Sequence, residues 1–296
     1  MIREDKHMTD HSHTENNGPE ERWYLRFNYY HRFLHGLIMI SFLGLVLTGM
    51  PLKFSHEAWA QAVARYMGGI QVAGYIHRVC GAITFLYFFL HILFAIYYIV
   101  KLRDEPLGKW ALGPNSMVPW IKDLEDVIGH VLWFLGMGER PKFDRFTYWE
   151  KFDYLAVFWG VGIIGFSGLM LWFPVFFAQF VPGWAFNIAI ILHSDEALLA
   201  AGFIFTIHFF NTHLRPEKFP LDHVIFTGRM SEEEFQHERP LEYQRMLEQG
   251  KLSSLETTPP SQTSMVWSKI IGFFAYGLGL FMILLIIYTT LKELVH

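Results

Sequence analysis

Five long apolar segments restrict what this chain of 296 residues can fold into. A helix needs about 20 apolar residues to cross the hydrocarbon core of a bilayer. The sequence predicts such helices near 33–52, 76–100, 154–181, 185–213 and 267–291. Charged residues make up 18% of the chain, against about 25% in soluble domains. We therefore expect an all-α integral membrane protein, a bundle of five transmembrane helices.

The polar stretches between these segments divide the chain into parts. We expect a polar tail, a four-helix core, a polar loop and a fifth helix over 1–27, 28–213, 214–265 and 266–296, respectively. The third and fourth segments are separated by a short "VPGW" turn, which predicts a tight hairpin. Within the polar loop, Ser231 and Glu234 fit a capping box, which predicts a short helix that begins there.

Lysine and arginine are distributed unevenly between the two predicted sides of the membrane. Nineteen lie in the N-terminal tail and in the loops 101–151 and 214–269, whereas three lie on the alternate side. Because positively charged loops stay in the cytoplasm, we expect an inner-membrane protein with a cytoplasmic N-terminus and a C-terminus outside. The tail lacks the pattern of a cleavable signal peptide. We expect it to be disordered, including His7, His11 and His13.

Histidines occur in pairs with long spacings inside the apolar segments. The first pair bounds the stretch "HRVCGAITFLYFFLH", His77 to His91, and the second is His193 with His208. At 1.5 Å per residue, the partners lie about 21 and about 22 Å apart along a helix. We therefore expect His77 and His193 at the outer level of the membrane, and His91 and His208 at the inner level. His35, at the start of the first segment, also falls at the inner level.

Two levels of imidazoles are typical of two stacked b-type haems, each with two axial histidines. The outer level offers His77 and His193, whereas the inner level offers three candidates, His35, His91 and His208, for two positions. The alternative is that these histidines only form hydrogen bonds between helices. Glycines on the ligand helices leave space for a macrocycle or for helix packing; they are Gly44, Gly49, Gly81 and Gly202.

Cationic side chains near each level are candidates to bind the anionic haem propionates. Lys53 and Arg78 lie at the outer level, and Arg32 and Arg215 at the inner level. The alternative is that they are interfacial charges whose heads extend to water. The single cysteine, Cys80, provides neither an intrachain disulfide nor a site for covalent haem or an iron–sulfur cluster. A net charge of −4 gives no support for a nucleic-acid partner.

Four motifs give the chain a resemblance to a known family. They are "RFLHG…LTG" in the first segment, "HRVCG" in the second, "RFTYWEKFDY" before the third and "ILHSDEALL…IH" in the fourth. Over roughly 22–230 the chain resembles the gamma subunit of formate dehydrogenase and the b-type cytochrome of membrane-bound nickel-iron hydrogenases. The resemblance implies a di-haem membrane subunit that carries electrons between the quinone pool, menaquinone or ubiquinone, and a partner on the outer face.

The resemblance also implies roles for individual residues. It makes His35 and His208 the ligands of the inner haem, and His77 and His193 those of the outer haem. His91 has no counterpart in the gamma subunit and stays the alternative inner ligand. By the same resemblance, the residues that border the quinone are Tyr148, Glu150 and Lys151.

The enlarged loops and the fifth segment leave the partner open. We expect a periplasmic multihaem cytochrome c or an iron–sulfur or catalytic subunit of a respiratory complex. Any oxidation of a substrate other than quinol would belong to that partner. The alternatives are a stand-alone quinol-dependent ferric or cytochrome reductase, and a transporter that binds metal ions through the membrane histidines. Transporters bind substrate near the midplane, which these histidines avoid.

Overall fold

The computed structural model describes residues 21–103 and 105–295, so the first twenty residues, with His7, His11 and His13, lie outside it. The chain is 74% helical. In chain order the elements are β1 (Trp23–Leu25), α1 (Tyr29–Lys53), α2 (Ala58–Tyr66), α3 (Ile70–Leu102), α4 (Leu107–Ala111), α5 (Ile121–Phe134), α6 (Tyr148–Trp172), α7 (Pro174–Phe177), α8 (Trp184–Leu214), α9 (Val224–Thr227), β2 (Arg229–Ser231), α10 (Glu232–Glu238), α11 (Pro240–Glu248), β3 (Glu256–Thr257) and α12 (Gln262–Val295).

Five of these helices are long and apolar enough to cross a membrane: α1, α3, α6, α8 and α12. The predicted all-α fold with five membrane-spanning helices is thus confirmed, and the chain is a multi-pass membrane protein. The short helix predicted from the capping pattern is confirmed as α10, because the Ser231 hydroxyl accepts from the Glu234 amide. The division of the chain into four parts stays a prediction.

The third spanning helix is shorter than the sequence analysis predicted. α6 begins where Thr147 and Glu150 form a reciprocal capping box, and it ends at Trp172 rather than near 181. The break falls at Phe173, whose backbone leaves the helical region with φ −119° and ψ 56°. A residue that precedes proline is disfavoured in the helical region, and Pro174 begins the separate helix α7. The connection to α8 is therefore longer than the predicted tight turn.

The two sides of the bundle are built differently. One side, where α1, α6 and α12 begin, bears a small folded unit that we call the subdomain, residues 22–27 and 221–257. Its three strands form an antiparallel sheet of order β2-β1-β3, in which Tyr24 pairs with Met230 and with Glu256. The subdomain encloses its own core, which consists of Tyr24, Val224, Met230, Phe235 and Leu252. Neither the sheet nor this core was predicted from the sequence.

The membrane-spanning helices pack in a definite order. α1 packs along α3, and α8 packs along the second half of α6. α12 joins the bundle by packing on α1 and α8, where the Met282 side chain has no exposed surface. On the side opposite the subdomain, α12 also contacts the α1–α3 connection, because the Trp59 indole donates to the Thr289 hydroxyl at 2.9 Å. The fifth helix is therefore an integral part of the bundle.

Helix α5 has its polar face inside and its apolar face outside. Asp123, Asp126 and His130 are buried where α5 packs against the start of α6. The opposite face exposes Ile121, Leu124, Ile128, Val131 and Leu135, each by more than half of its surface. In a soluble protein the apolar face would be the buried one, so this orientation indicates a helix that lies against something apolar.

Candidate functional site

Two histidines meet inside the bundle near the side opposite the subdomain. His77 lies two turns into α3, and His193 lies in the first half of α8, and both helices begin on that side. The centres of the two rings are 6.1 Å apart, and the ring planes are inclined by 80°. The structure thus brings together the two residues that the spacing argument placed at one level.

Hydrogen bonds determine which nitrogen of each ring carries the proton. The Thr48 hydroxyl donates to the Gly44 carbonyl at 2.7 Å, so its oxygen accepts from His77 Nδ1 at 2.9 Å. His193 Nδ1 lies 2.9 Å from the Ile164 carbonyl, which can only accept. Both neutral rings are therefore protonated on Nδ1. The Nε2 lone pair of each is left available to bind a metal ion.

A glycine lies directly beside each of these two rings. A Cβ atom added at Gly49 would lie 3.1 Å from His77 Cε1, and one added at Gly168 would lie 2.9 Å from His193 Cε1. Both distances are shorter than ordinary van der Waals contact, so a larger residue would push the imidazole away. Of the glycines considered in the sequence, only Gly49 has this role; within the described residues, a Cβ would meet no histidine at Gly44, Gly81 or Gly202.

At the subdomain side, two of the predicted inner histidines have different partners. His208 Nδ1 donates to the Asp153 carboxylate at 2.8 Å, which leaves its Nε2 available. His91 Nε2 lies 2.8 Å from the Tyr154 hydroxyl, so the nitrogen that would bind a metal ion is already engaged. The contact from Asp153 was not anticipated, although a carboxylate at the edge of an apolar segment is itself a signal of function.

The third inner candidate, His35, has no hydrogen-bond partner among the described residues. It lies within electrostatic range of His208 and His213. His213 Nδ1 accepts from the Asp222 amide at 3.2 Å, so the proton of neutral His213 is on Nε2, the opposite arrangement to His77 and His193. His35 and His208 are thus the two predicted inner ligands whose Nε2 has no hydrogen-bond partner among the described residues.

The predicted propionate partners differ in their availability. Lys53 Nζ pairs with Asp195 at 2.7 Å, and Arg78 is exposed. Arg32 Nε donates to the Phe226 carbonyl at 2.8 Å. Arg215 donates to Glu238 at 3.1 Å, and its Nε is buried without a partner among the described residues.

A further arginine, which the sequence analysis did not consider, lies beside the first turn of α6. Arg239 is 6% exposed and donates to Glu150 at 2.8 Å. Its Nε and Nη1 are buried without a partner among the described residues. Glu150 lies one turn before Asp153, the partner of His208, on α6. Unpaired buried donors are costly, and together with Arg215 Nε they are suited to an anion.

The three predicted quinone-site residues point in two directions. Tyr148 and Lys151 face α5: the Tyr148 hydroxyl is 3.1 Å from His130 Nδ1, and Lys151 donates to Asp123 at 2.9 Å. Glu150 instead faces the subdomain through Arg239. Burial lowers the pKa of His130, so this imidazole stays neutral at pH 7. The structure adds His130 and Asp123 to this region, and the sequence analysis missed both.

A buried charge network fastens the subdomain to the bundle. Arg26 and Arg145 both donate to Glu242, at 2.7 and 2.8 Å, and Glu242 has no exposed surface. Burial lowers the pKa of Arg26 to about 10, which leaves it charged at neutral pH. Arg26 also donates to the Arg145 carbonyl. The segment before α1 is thus tied to the loop that leads into α6.

Across residues 21–103 and 105–295, no group of three or more His, Cys, Asp and Glu side chains is placed to hold a metal ion. The candidate ligands occur as pairs instead. Comparisons with protein-family models and with curated proteins find no match to this chain.

Proposed function

We propose that the chain is a di-haem b-type cytochrome of the inner membrane. It transfers electrons between the quinone pool, menaquinone or ubiquinone, and a redox partner on the periplasmic side. Suitable partners are a multihaem cytochrome c and an iron–sulfur subunit of a respiratory complex. The observation that carries the proposal is the His77–His193 pair inside the bundle.

The geometry of this pair suits a bis-histidine haem. A metal–imidazole bond is about 2 Å long and a ring centre lies about 1 Å beyond the nitrogen, so two imidazoles that shared one metal ion would have ring centres up to about 6 Å apart. The observed distance is 6.1 Å. Both rings also hold the Nδ1 proton, which leaves Nε2 for the iron. A porphyrin supplies the other four ligands, so a pair of protein ligands is sufficient.

The subdomain side supports a second haem bound by His35 and His208. His208 is oriented by Asp153, and His91 is engaged by Tyr154. Arg239, with its two unpaired buried nitrogens, suits the propionates of this second haem. A haem bound by each pair would supply one-electron redox chemistry.

The chain's own residues orient the imidazole rings through the hydrogen bonds of Nδ1. Quinone chemistry needs a proton route, and the cluster at the start of α6 offers Tyr148, His130 and Lys151 on one face and Glu150 on the other. We assign this region to the quinone. The distribution of lysine and arginine, nineteen against three, favours an orientation with the subdomain in the cytoplasm and the C-terminus outside.

The haem content of the purified protein tests the proposal. We expect two non-covalent b haems per chain in a pyridine haemochrome assay. His77→Ala and His193→Ala should each lose one haem and keep the other. A haem content near zero would contradict the proposal. If such a preparation bound divalent metal ions instead, a metal transporter would be the better assignment.

A quinol assay separates the subunit from the stand-alone reductase. Reduction of the haems by quinol without turnover on ferric chelates or soluble cytochromes supports a subunit that needs a partner. Sustained turnover of the isolated protein with those acceptors would favour the reductase.

A further inference from the structure

We propose that Asp153 makes the two haem sites electronically unequal, by lowering the reduction potential of the haem that His208 binds. Asp153 is a positioning residue in this proposal, because it acts on the iron through the imidazole. The inference rests on the proposed function, and it extends to a property of that site that the pairing of histidines does not imply.

The structure gives the candidate ligands different acceptors. His208 donates from Nδ1 to a carboxylate, Asp153, at 2.8 Å. At the opposite side, His77 donates to the Thr48 hydroxyl and His193 to the Ile164 carbonyl, both at 2.9 Å. The two neutral acceptors thus lie at the His77–His193 site, and the anionic acceptor lies at the His208 site.

Asp153 is not paired with a lysine or an arginine. Among the described residues, no lysine or arginine lies within ion-pair distance of Asp153, and its second oxygen, Oδ1, is buried without a partner. The side chains of Asp153 and His208 are only 14% and 22% exposed. The carboxylate therefore acts on the imidazole with little screening by solvent. One turn earlier on α6, Glu150 pairs with Arg239, so that pair contains one charge of each sign.

An anionic acceptor changes the imidazole as a ligand. A carboxylate that accepts from Nδ1–H raises the basicity of the ring and orients it. A more basic axial ligand stabilises the ferric iron over the ferrous iron, which lowers the reduction potential. Only one electron is transferred between these two states, and the proton stays on the His208–Asp153 pair. Neutral acceptors produce a smaller effect. The reduction potentials of the two haems should therefore differ because of Asp153.

Redox titration of the full-length protein in detergent, followed at the haem absorption bands, tests this inference. The haem that survives in His77→Ala identifies the His208 site. In Asp153→Asn we expect two haems, with a raised potential for the His208 haem and an unchanged potential for the other. Asp153→Glu should restore a potential near the wild-type value. As the matched control, Thr48→Val should leave the potential of the His208 haem unchanged.

Two results would overturn the inference. One is an unchanged potential for both haems in an Asp153→Asn protein that retains them. The other is a shift confined to the haem that His77→Ala removes. If Asp153→Asn does not retain its haem, Thr48→Asp supplies the converse test, because a carboxylate beside His77 should lower the potential of that haem; an unmoved potential there would also overturn it. Absence of haem from the wild-type protein would instead overturn the proposed function, and it is measured before any titration.

Discussion

At the scale of single residues, the His77–His193 pair depends on small neighbours as much as on the imidazoles. Each ring has one hydrogen-bond acceptor for Nδ1 and one glycine beside it. The acceptor fixes the tautomer, and the glycine permits the close approach. Neither contact is a bond to a metal ion, yet each decides where the Nε2 lone pair points.

The glycine beside His193 gives a sharp test of this arrangement. We expect Gly168→Ala to displace the His193 ring, because the new Cβ would lie 2.9 Å from Cε1. The occupancy of the haem proposed at the His77–His193 pair should then fall at least several-fold. Gly162→Ala is the matched control on the same helix, since a Cβ there has open space. Haem stoichiometry of both purified variants is the measurement. Equal occupancy in the two would contradict the assigned role of Gly168.

The inner site can be tested by comparing His35→Ala with His91→Ala. We expect His35→Ala to lose the haem proposed at His208, because an iron that has lost one of its two protein ligands would be held weakly. We expect His91→Ala to retain it, because His91 Nε2 is engaged by Tyr154. Optical spectra of the reduced proteins distinguish the outcomes. Loss of this haem in His91→Ala alone would assign the ligand to His91.

The histidine pairs were predictable from sequence because helix geometry is regular. A fixed rise per residue converts a spacing into a depth, and this placed His77 and His193 at one level. The same regularity did not choose between His35 and His91, because depth alone does not give the direction of a side chain towards other helices. Asp153, Thr48 and Ile164 were missed because their roles depend on contacts between helices that are distant in sequence.

At the scale of whole elements, apolar length predicted the five spanning helices, but not the helices that run outside them. We predicted that α6 would end near 181, whereas it ends at Trp172. Pro174 interrupts the helix although the residues around it are apolar. The apolar residues of α5 were too few to span a bilayer. Their helical spacing was nonetheless a signal of an amphipathic helix.

We predict that the exposed apolar face of α5 lies in the membrane interface. The polar face of α5 is fixed to the first turns of the spanning helix α6 through Asp123–Lys151 and His130–Tyr148. Its apolar face thus points away from α6 and is exposed, as in amphipathic helices that bury their apolar side in the membrane interface. The flanking charge pair, Lys122 with Asp126, lies towards the polar face.

Spin labels can measure this position in lipid vesicles. In a Cys80→Ala background, a label at Ile128→Cys should be more accessible to oxygen than to a water-soluble nickel complex. A label at Gln244→Cys, on the exposed surface of α11, should show the reverse. If the Ile128 label were as accessible to nickel as the Gln244 label, the face would be in water.

At the scale of the molecule, the subdomain and the bundle are joined by buried charge rather than by a shared apolar core. The two cores are separate. Between them, Arg26 from the segment before α1 and Arg145 from the loop before α6 converge on Glu242 of α11. This junction was not predictable from sequence, because its three residues are more than ninety positions apart and each is of a type that is ordinarily found on protein surfaces.

The Glu242 junction should govern the stability of the subdomain. Breaking a buried ion pair by removing one partner costs about 3–5 kcal/mol, because a charge stays buried and unpaired. Glu242→Leu leaves both Arg26 and Arg145 without their carboxylate. We therefore expect the free energy of unfolding to fall by at least that amount. Arg26→Met should cost less, because Arg145 still pairs with Glu242. Arg22→Ala, which removes an exposed pair with Glu232, is the control and should leave stability nearly unchanged.

Thermal unfolding midpoints in one detergent would rank the variants, and limited proteolysis between α11 and α12 would report local opening. A Glu242→Leu protein as stable as Arg22→Ala would show that the two units are held together elsewhere.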